Sequence, residues 1–127
     1  MKVSDVKDTS PAAAALLPLK PDVFTILLVL AEREAHGYAM MRAAEDRAGR
    51  RGALQPGSLY RLLKNMLDAG LVEELDRREL PQGGDERRRY YRITPFGRDV
   101  AAAESLRMAA LLRDSRRLAL VDDGDLA

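Results

Sequence analysis

Apolar residues first gather at Val23, Phe24, Ile26, Leu27, Leu28, Val29 and Leu30, a block apolar on nearly every side and opened by Pro21. Proline suits the first turn of a helix, where its missing N–H forfeits no partner, so the block predicts a central, buried helix. His36-Gly37 interrupts the pattern, and Tyr38, Met41, Ala44, Glu45 and Ala48 then follow helical spacing until Gly49. That spacing predicts a second helix of about three turns. Gly52 to Gln55 reads as a connector, and Pro56 opens a third helix. Here Leu59, Leu62, Leu63, Met66 and Leu67 share one face, while Gly57, Arg61, Lys64, Asn65 and Asp68 share the other.

After Gly70 the spacing changes. Leu71 to Asp76 reads as a short strand, a Pro81-Gln82-Gly83-Gly84-Asp85 turn follows, and Arg87 to Ile93 reads as its partner. If Ile93 points inward, alternation puts Tyr91 inward and Tyr90 outward beside Arg88 and Arg92. Thr94-Pro95 is an N-cap and first-position pair for a fourth helix through Val100, Ala103, Leu106 and Leu111 toward Leu120. The fold class is therefore mainly α with a small β-hairpin (α+β). Residues 1–20 form an N-terminal arm or accessory helix, 21–98 the three helices and hairpin, 99–121 a C-terminal helix and 122–127 an acidic tail.

With 127 residues, 46% hydrophobic and 32% charged, the chain suits one core. It has no Cys, one His and no Trp. Thiolate metal sites and a cysteine nucleophile are excluded, and no positioned acid–base set or phosphate-cradling loop is visible, so an enzyme is not expected. No cofactor or metal site is expected either, since His36 stands alone and Asp122-Asp123-Gly124-Asp125 lacks the full calcium-loop pattern. The apolar run from Val23 to Ala31 falls far short of a bilayer span, and the first residues mix charge signs unlike a signal peptide. The expectation is a cytoplasmic protein with no membrane partner.

The net charge of +1 hides a polarised chain. Residues 42–64 carry +4 and residues 77–98 carry +4, whereas residues 65–76 carry −4. The positive blocks coincide with the start of the third helix and with the hairpin. Three helices followed by a hairpin are the parts of a winged helix-turn-helix, whose third helix lies in the DNA major groove. Ser58, Arg61, Lys64 and Asn65 offer hydroxyl, guanidinium, ammonium and amide groups at one-turn spacings on its outward face. Arg61 can read guanine and Asn65 adenine, while Ser58 suits a phosphate. Arg77, Arg78, Arg87, Arg88 and Arg89 would be gathered toward one hairpin tip, suited to phosphates and narrow minor grooves. The alternatives are a solvated helix face and a salt-bridged loop, or a winged helix that docks another protein without binding DNA. Tyr60 either caps the core or touches the DNA backbone, and His36 reads as a structural turn residue.

His36-Gly37-Tyr38, the run from Pro56 to Lys64, Asp68-Ala69-Gly70-Leu71-Val72 and the run from Arg87 to Arg98 occur in the order found in PadR transcription regulators. Over roughly Leu19 to Leu120 the chain resembles that family, in its compact branch with a single C-terminal helix. The resemblance implies a winged helix-turn-helix homodimer on double-stranded DNA, usually a repressor on a palindromic operator. It places Tyr38, Ser58, Tyr60, Arg61 and Lys64 in or beside the DNA-binding face. It also gives the C-terminal helix the dimer contact, here through Leu106, Leu111, Leu112, Ser115, Leu118 and Ala119, with half-sites about 34 to 36 Å apart. Some family members bind small aromatic effectors near the dimer interface. Phe24, Phe96 and Met108 can line such a site or simply fill the core.

Overall fold

The structure, a computed structural model, describes residues 10–49, 54–81, 83–85 and 87–127. The first nine residues of the expected arm, residues 52–53 of the connector and Gln82 of the turn lie outside them.

Proline opens three of the main helices: α2 (Pro21–Glu32), α4 (Pro56–Asp68) and α5 (Pro95–Arg117). A one-turn helix, α1 (Pro11–Ala14), precedes them, capped by Ser10 Oγ accepting from the Ala13 N–H. Helix α3 (Gly37–Ala48) starts where His36 Nδ1 accepts from the Ala39 N–H at 3.2 Å, and stops at Gly49, whose φ of 73° suits a residue without Cβ. A short helix α6 (Asp123–Leu126) follows α5, its first turn closed by a reciprocal Asp122–Asp125 capping box. The expected acidic tail thus forms a helical turn.

The hairpin has shorter strands than the pattern predicts, β2 (Val72–Glu74) and β3 (Tyr90–Ile93), in register Val72↔Ile93, Glu73↔Arg92 and Glu74↔Tyr91. Asp76 leaves the strand because its carboxylate accepts from the Arg78 N–H at 2.9 Å, starting a 3-10 turn at Arg77–Glu79. A third strand, β1 (Ala35–His36), pairs with the other edge of β3, giving the order β1-β3-β2. Two residues carry too little periodicity to reveal a strand in sequence.

The core holds Ile26, Leu27 and Leu30 of α2, Met40 of α3, Leu59, Leu63 and Met66 of α4, Tyr91 and Val100. Leu28 departs from the expected all-round burial at 36% exposed. Phe24 and Phe96 pack against this core. Tyr90 also departs from expectation. It is buried on the sheet face opposite Tyr91 and Ile93, because the His36 ring meets it edge-on at 5.2 Å and its hydroxyl accepts from the Asp85 N–H at 3.1 Å.

Helix α5 runs unbroken across residues 98 and 99, and its first half packs against α2, α1 and β3. Among the described residues, Glu104 on α5 is the one buried charged residue. Arg107 donates to it at 2.5 and 3.1 Å and the Leu19 N–H at 3.0 Å. The Arg107 guanidinium holds the carboxyl below its usual range against the opposing effect of burial, and the Leu19 amide adds to this.

The tightest joint is where α4 ends and α5 begins. Thr94 Oγ1 accepts from the Gly97 N–H at 2.9 Å and donates to the Gly70 carbonyl at 2.5 Å, while the Thr94 N–H donates to the Leu71 carbonyl. A Cβ on Gly97 would collide with the Leu71 carbonyl oxygen and come within 2.8 Å of Ile93 Cγ1. Gly97→Ala should therefore cost about 2–3 kcal/mol in urea unfolding. Gly57→Ala, where a Cβ meets nothing within 4 Å, should be neutral or stabilise by up to about 1 kcal/mol. Equal unfolding midpoints for the two variants would refute the joint.

Candidate nucleic-acid interface

The start of α3, the exposed face of α4 and the chain leading into β3 meet in a cleft of about 360 Å³ lined by His36, Gly37, Tyr38, Tyr60, Arg87, Arg88 and Arg89. It is lined by the first turn of a 12-residue helix, whose dipole favours an anion there. Tyr60 can lie there because Gly37 lacks a side chain: a Cβ at that position would sit 3.0 Å from the Tyr60 hydroxyl. Tyr38 and Tyr60 are more than half exposed, so neither ring fills the core. Arg42 donates to the Tyr38 hydroxyl at 3.0 Å and lies 5.9 Å from its ring centre.

Asp85 builds the wall of arginines. Its carboxylate accepts from the Arg87 N–H at 2.9 Å, closing a turn, and also binds the Arg87 guanidinium at 3.2 Å. These Arg87 contacts hold the Asp85 carboxyl below its usual range. Arg88 then reaches back to His36, its Nη1 lying 3.2 and 3.1 Å from the two ring nitrogens. Arg89 approaches Glu74 at 3.8 Å. Burial pushes the Tyr91 hydroxyl up, and a hydrogen bond from Arg89 partly offsets it.

The sequence-derived candidates divide into four groups. Tyr38, Tyr60, Arg87, Arg88 and Arg89 share the cleft. Ser58, Arg61 and Lys64 lie along α4, with Ser58 half-buried and the other two exposed. Lys64 pairs with Asp68 at 3.3 Å, but both side chains are more than two-thirds exposed, so the pair is weak and readily exchanged for a phosphate. Arg61 has no ion pair among the described residues. Asn65 instead lines a separate apolar cleft beside the arm. Arg77 and Arg78 occupy the 3-10 turn, so the cleft is lined by three of the five arginines expected at the hairpin tip. The 3-10 turn interposes an extra element between the two arms of the wing.

Three residues outside the sequence-derived set shape this surface. His36 caps α3 and contacts both Arg88 and Tyr90. Arg92 donates to Glu73 at 2.8 Å and to Glu79 at 2.7 Å, tying the 3-10 turn to the sheet. Asp85 orders the arginines, as above. The signal for Arg92 lay in the cross-strand register opposite Glu73, which sequence alone does not fix.

A family model described as the transcriptional regulator PadR-like family matches residues 26–103, which includes the second half of α2, all of α3, α4 and the sheet, and the first turns of α5. The chain belongs to the PadR-like family. PadR proteins are DNA-binding transcription regulators and not enzymes. The fold is similar to that of RosR from H. salinarum, with 24% identity, a TM-score of 0.63 and 88% of this chain and 99% of that chain covered. It is also similar to a PadR family transcription regulator from Clostridium difficile R20291, with 23% identity, a TM-score of 0.61 and 78% and 98% covered. Over 86 residues the PadR chain is 36% identical to an uncharacterized 37.1 kDa protein in transposon TN4556 of Streptomyces fradiae, covering 68% of this chain and 22% of that protein. The chain thus spans about a fifth of that relative's length. Among the described residues no helix is long and apolar enough to cross a membrane.

Burial, the neighbouring Arg88 charge and the cap all favour neutral His36, and its pKa is lowered, mainly by burial and then by Arg88 against a smaller opposing effect of Asp85. The unfolded chain takes up the proton first as pH falls below the ordinary histidine value of about 6.5, so the stability His36 contributes is complete above that value and is lost below it. His36→Ala should cost about 1 kcal/mol at pH 7 through the lost cap. It should also remove part of the loss of stability seen between pH 7 and pH 5.5 in the parent protein. Urea midpoints at the two pH values check this, and parallel pH losses in both proteins would contradict it.

Proposed function

We propose that this PadR protein is a cytoplasmic, homodimeric repressor that binds a palindromic operator through α4, residues 56–69, and the wing, residues 77–89. The observation that carries the reading is the cationic cleft. Two tyrosine hydroxyls, three arginines and the N-terminus of α3 converge beside the exposed Arg61–Lys64 face of α4. That set suits a phosphate of the DNA backbone held next to a helix placed for base contact. Ser58, Arg61 and Lys64 face the groove, Asn65 reaches it from the margin, and Arg77 and Arg78 add phosphate contacts from the 3-10 turn.

Support for the dimer comes from α5. Its second half leaves Leu106, Leu111 and Leu112 exposed, Leu111 by 57%, with Ser115 on the same stretch, and the exposed Leu118 and Ala119 follow the end of the helix at Arg117, short of the expected 121. Such a run is costly to leave in water and suits the same surface of a second copy. A two-fold pair would then present two α4 helices to two half-sites.

The test is fluorescence anisotropy with the chain's own upstream DNA against scrambled DNA at two salt concentrations. A specific complex of two chains per duplex is expected, with affinity falling steeply in salt. Arg61→Ala should cost about 1–3 kcal/mol and relax the sequence preference. Lys64→Ala should weaken both DNAs alike and lower the salt slope by about one, with unfolding unchanged. Parent-like binding by both variants at moderate salt would contradict this docking.

A further inference from the structure

His36 sits where three elements meet: it closes β1, caps α3 and lies opposite Tyr90 of β3 in the strand register. Its ring has little freedom. Nδ1 accepts from the Ala39 N–H at 3.2 Å, and the Tyr90 ring stands against it at 5.2 Å and 82°. Arg88, two residues before Tyr90, brings Nη1 to 3.2 and 3.1 Å from the two ring nitrogens. Near-equal distances of that size cannot be met in the ring plane, where Cε1 would collide with Nη1, so the guanidinium lies over the imidazole face. A cation above a neutral aromatic face is attracted without taking the Nδ1 lone pair from the α3 cap. Arg88 Nε also lies 3.8 Å from the Asp85 carboxylate, and the Asp85 N–H donates to the Tyr90 hydroxyl at 3.1 Å. The contacts thus close into a circuit through His36, Arg88, Asp85 and Tyr90, joining α3, β3 and the wing.

We propose that His36 is a positioning residue for DNA binding: its ring face holds the Arg88 guanidinium in the cleft, ready for a phosphate, a role separate from its cap on α3. The role rests on the cleft being a DNA-backbone site. The Arg88 side chain is 48% exposed and its approach to Asp85, at 3.8 Å, is too long for a hydrogen bond. That pair alone leaves the guanidinium free to swing. An arginine ordered only on meeting DNA gives up its rotamer freedom in the binding step, whereas one already ordered has given it up on folding. A neutral ring supplies this order and leaves the positive charge available, which a carboxylate in its place would not. His36 therefore serves α3 with its in-plane lone pair and Arg88 with its face.

Two substitutions in the full chain separate these parts of the ring. Asparagine can cap α3 but offers Arg88 no ring, while phenylalanine keeps a ring face and gives the Ala39 N–H no acceptor. In fluorescence anisotropy with the chain's own upstream DNA, His36→Asn should weaken binding about fivefold, whereas His36→Phe should bind within about twofold of the parent. Urea midpoints should rank the other way, with His36→Asn closer to the parent than His36→Phe. Arg88→Ala should weaken binding at least as much as His36→Asn, and adding His36→Asn to Arg88→Ala should weaken it no further. Without DNA, the Arg88 side-chain NMR signals should carry a ring-current shift in the parent and in His36→Phe and lose it in His36→Asn. Parent-like binding by His36→Asn, an equal loss in His36→Phe, or a further loss in the Arg88→Ala background overturns the positioning role. Absence of the ring-current shift in the parent overturns the stack itself. Failure of the parent to bind duplex DNA overturns the DNA reading of the cleft and with it the phosphate role of Arg88, while the ring-current shift still decides whether His36 holds the guanidinium.

Discussion

The contact of Gly97 with the Leu71 carbonyl is the constraint on which the other parts of the molecule depend. It lets the first turn of α5 rest directly on the chain that leaves α4, and Thr94 locks the approach by bonding both Gly70 and Gly97. Three directions are set at that point: α4 below it, the wing that begins at Val72, and the long helix α5. A side chain at residue 97 would force apart backbone and packed Ile93, neither of which yields cheaply. The angle between the reading helix and the wing is therefore a packing property, held by one absent methyl group.

On this frame the charges are sorted. The acidic run that gives residues 65–76 their negative balance is paired: Asp68 with Lys64, Glu73 with Arg92, Glu74 with Arg89 and Asp76 with Arg78. These exposed pairs contribute little stability. Glu73, at 2.8 Å from Arg92, places a guanidinium group, since a carboxylate at hydrogen-bond distance fixes where an otherwise floppy arginine points. Glu79 illustrates this: its carboxyl binds the Asp76 amide and Arg92 and is held below its usual range by the first and then the second. A chain of net charge +1 thereby keeps a cationic cleft beside α4.

The helices were legible because proline and glycine mark their ends and the apolar spacing fills their inner faces; Pro21, Pro56, Pro95 and Gly49 stand where the pattern puts them. The sheet was only half legible. Strand β1 is two residues long and is defined by its partner Tyr90–Tyr91, a contact between residues far apart in sequence. The same distance effect buries Tyr90, which alternation alone puts outside, and draws Arg88 onto His36. The candidate site was legible as a list of cationic and aromatic residues, not as a geometry. Asn65 shares a helix face with Lys64 on a helical wheel, yet it borders the apolar cleft beside the arm. The bond from the Leu19 N–H to Glu104 carried no signal in sequence, because the two residues lie 85 positions apart.

The central claim, that α4 and the wing cleft together form the DNA surface, is tested most directly by following backbone amide signals of the ¹⁵N-labelled protein during titration with operator duplex. The account predicts that the largest shifts fall on residues 37–38, 57–65 and 87–89, that they shrink as salt rises, and that the second half of α5 stays unperturbed. Shifts concentrated on α5, with the cleft residues unchanged, would contradict it.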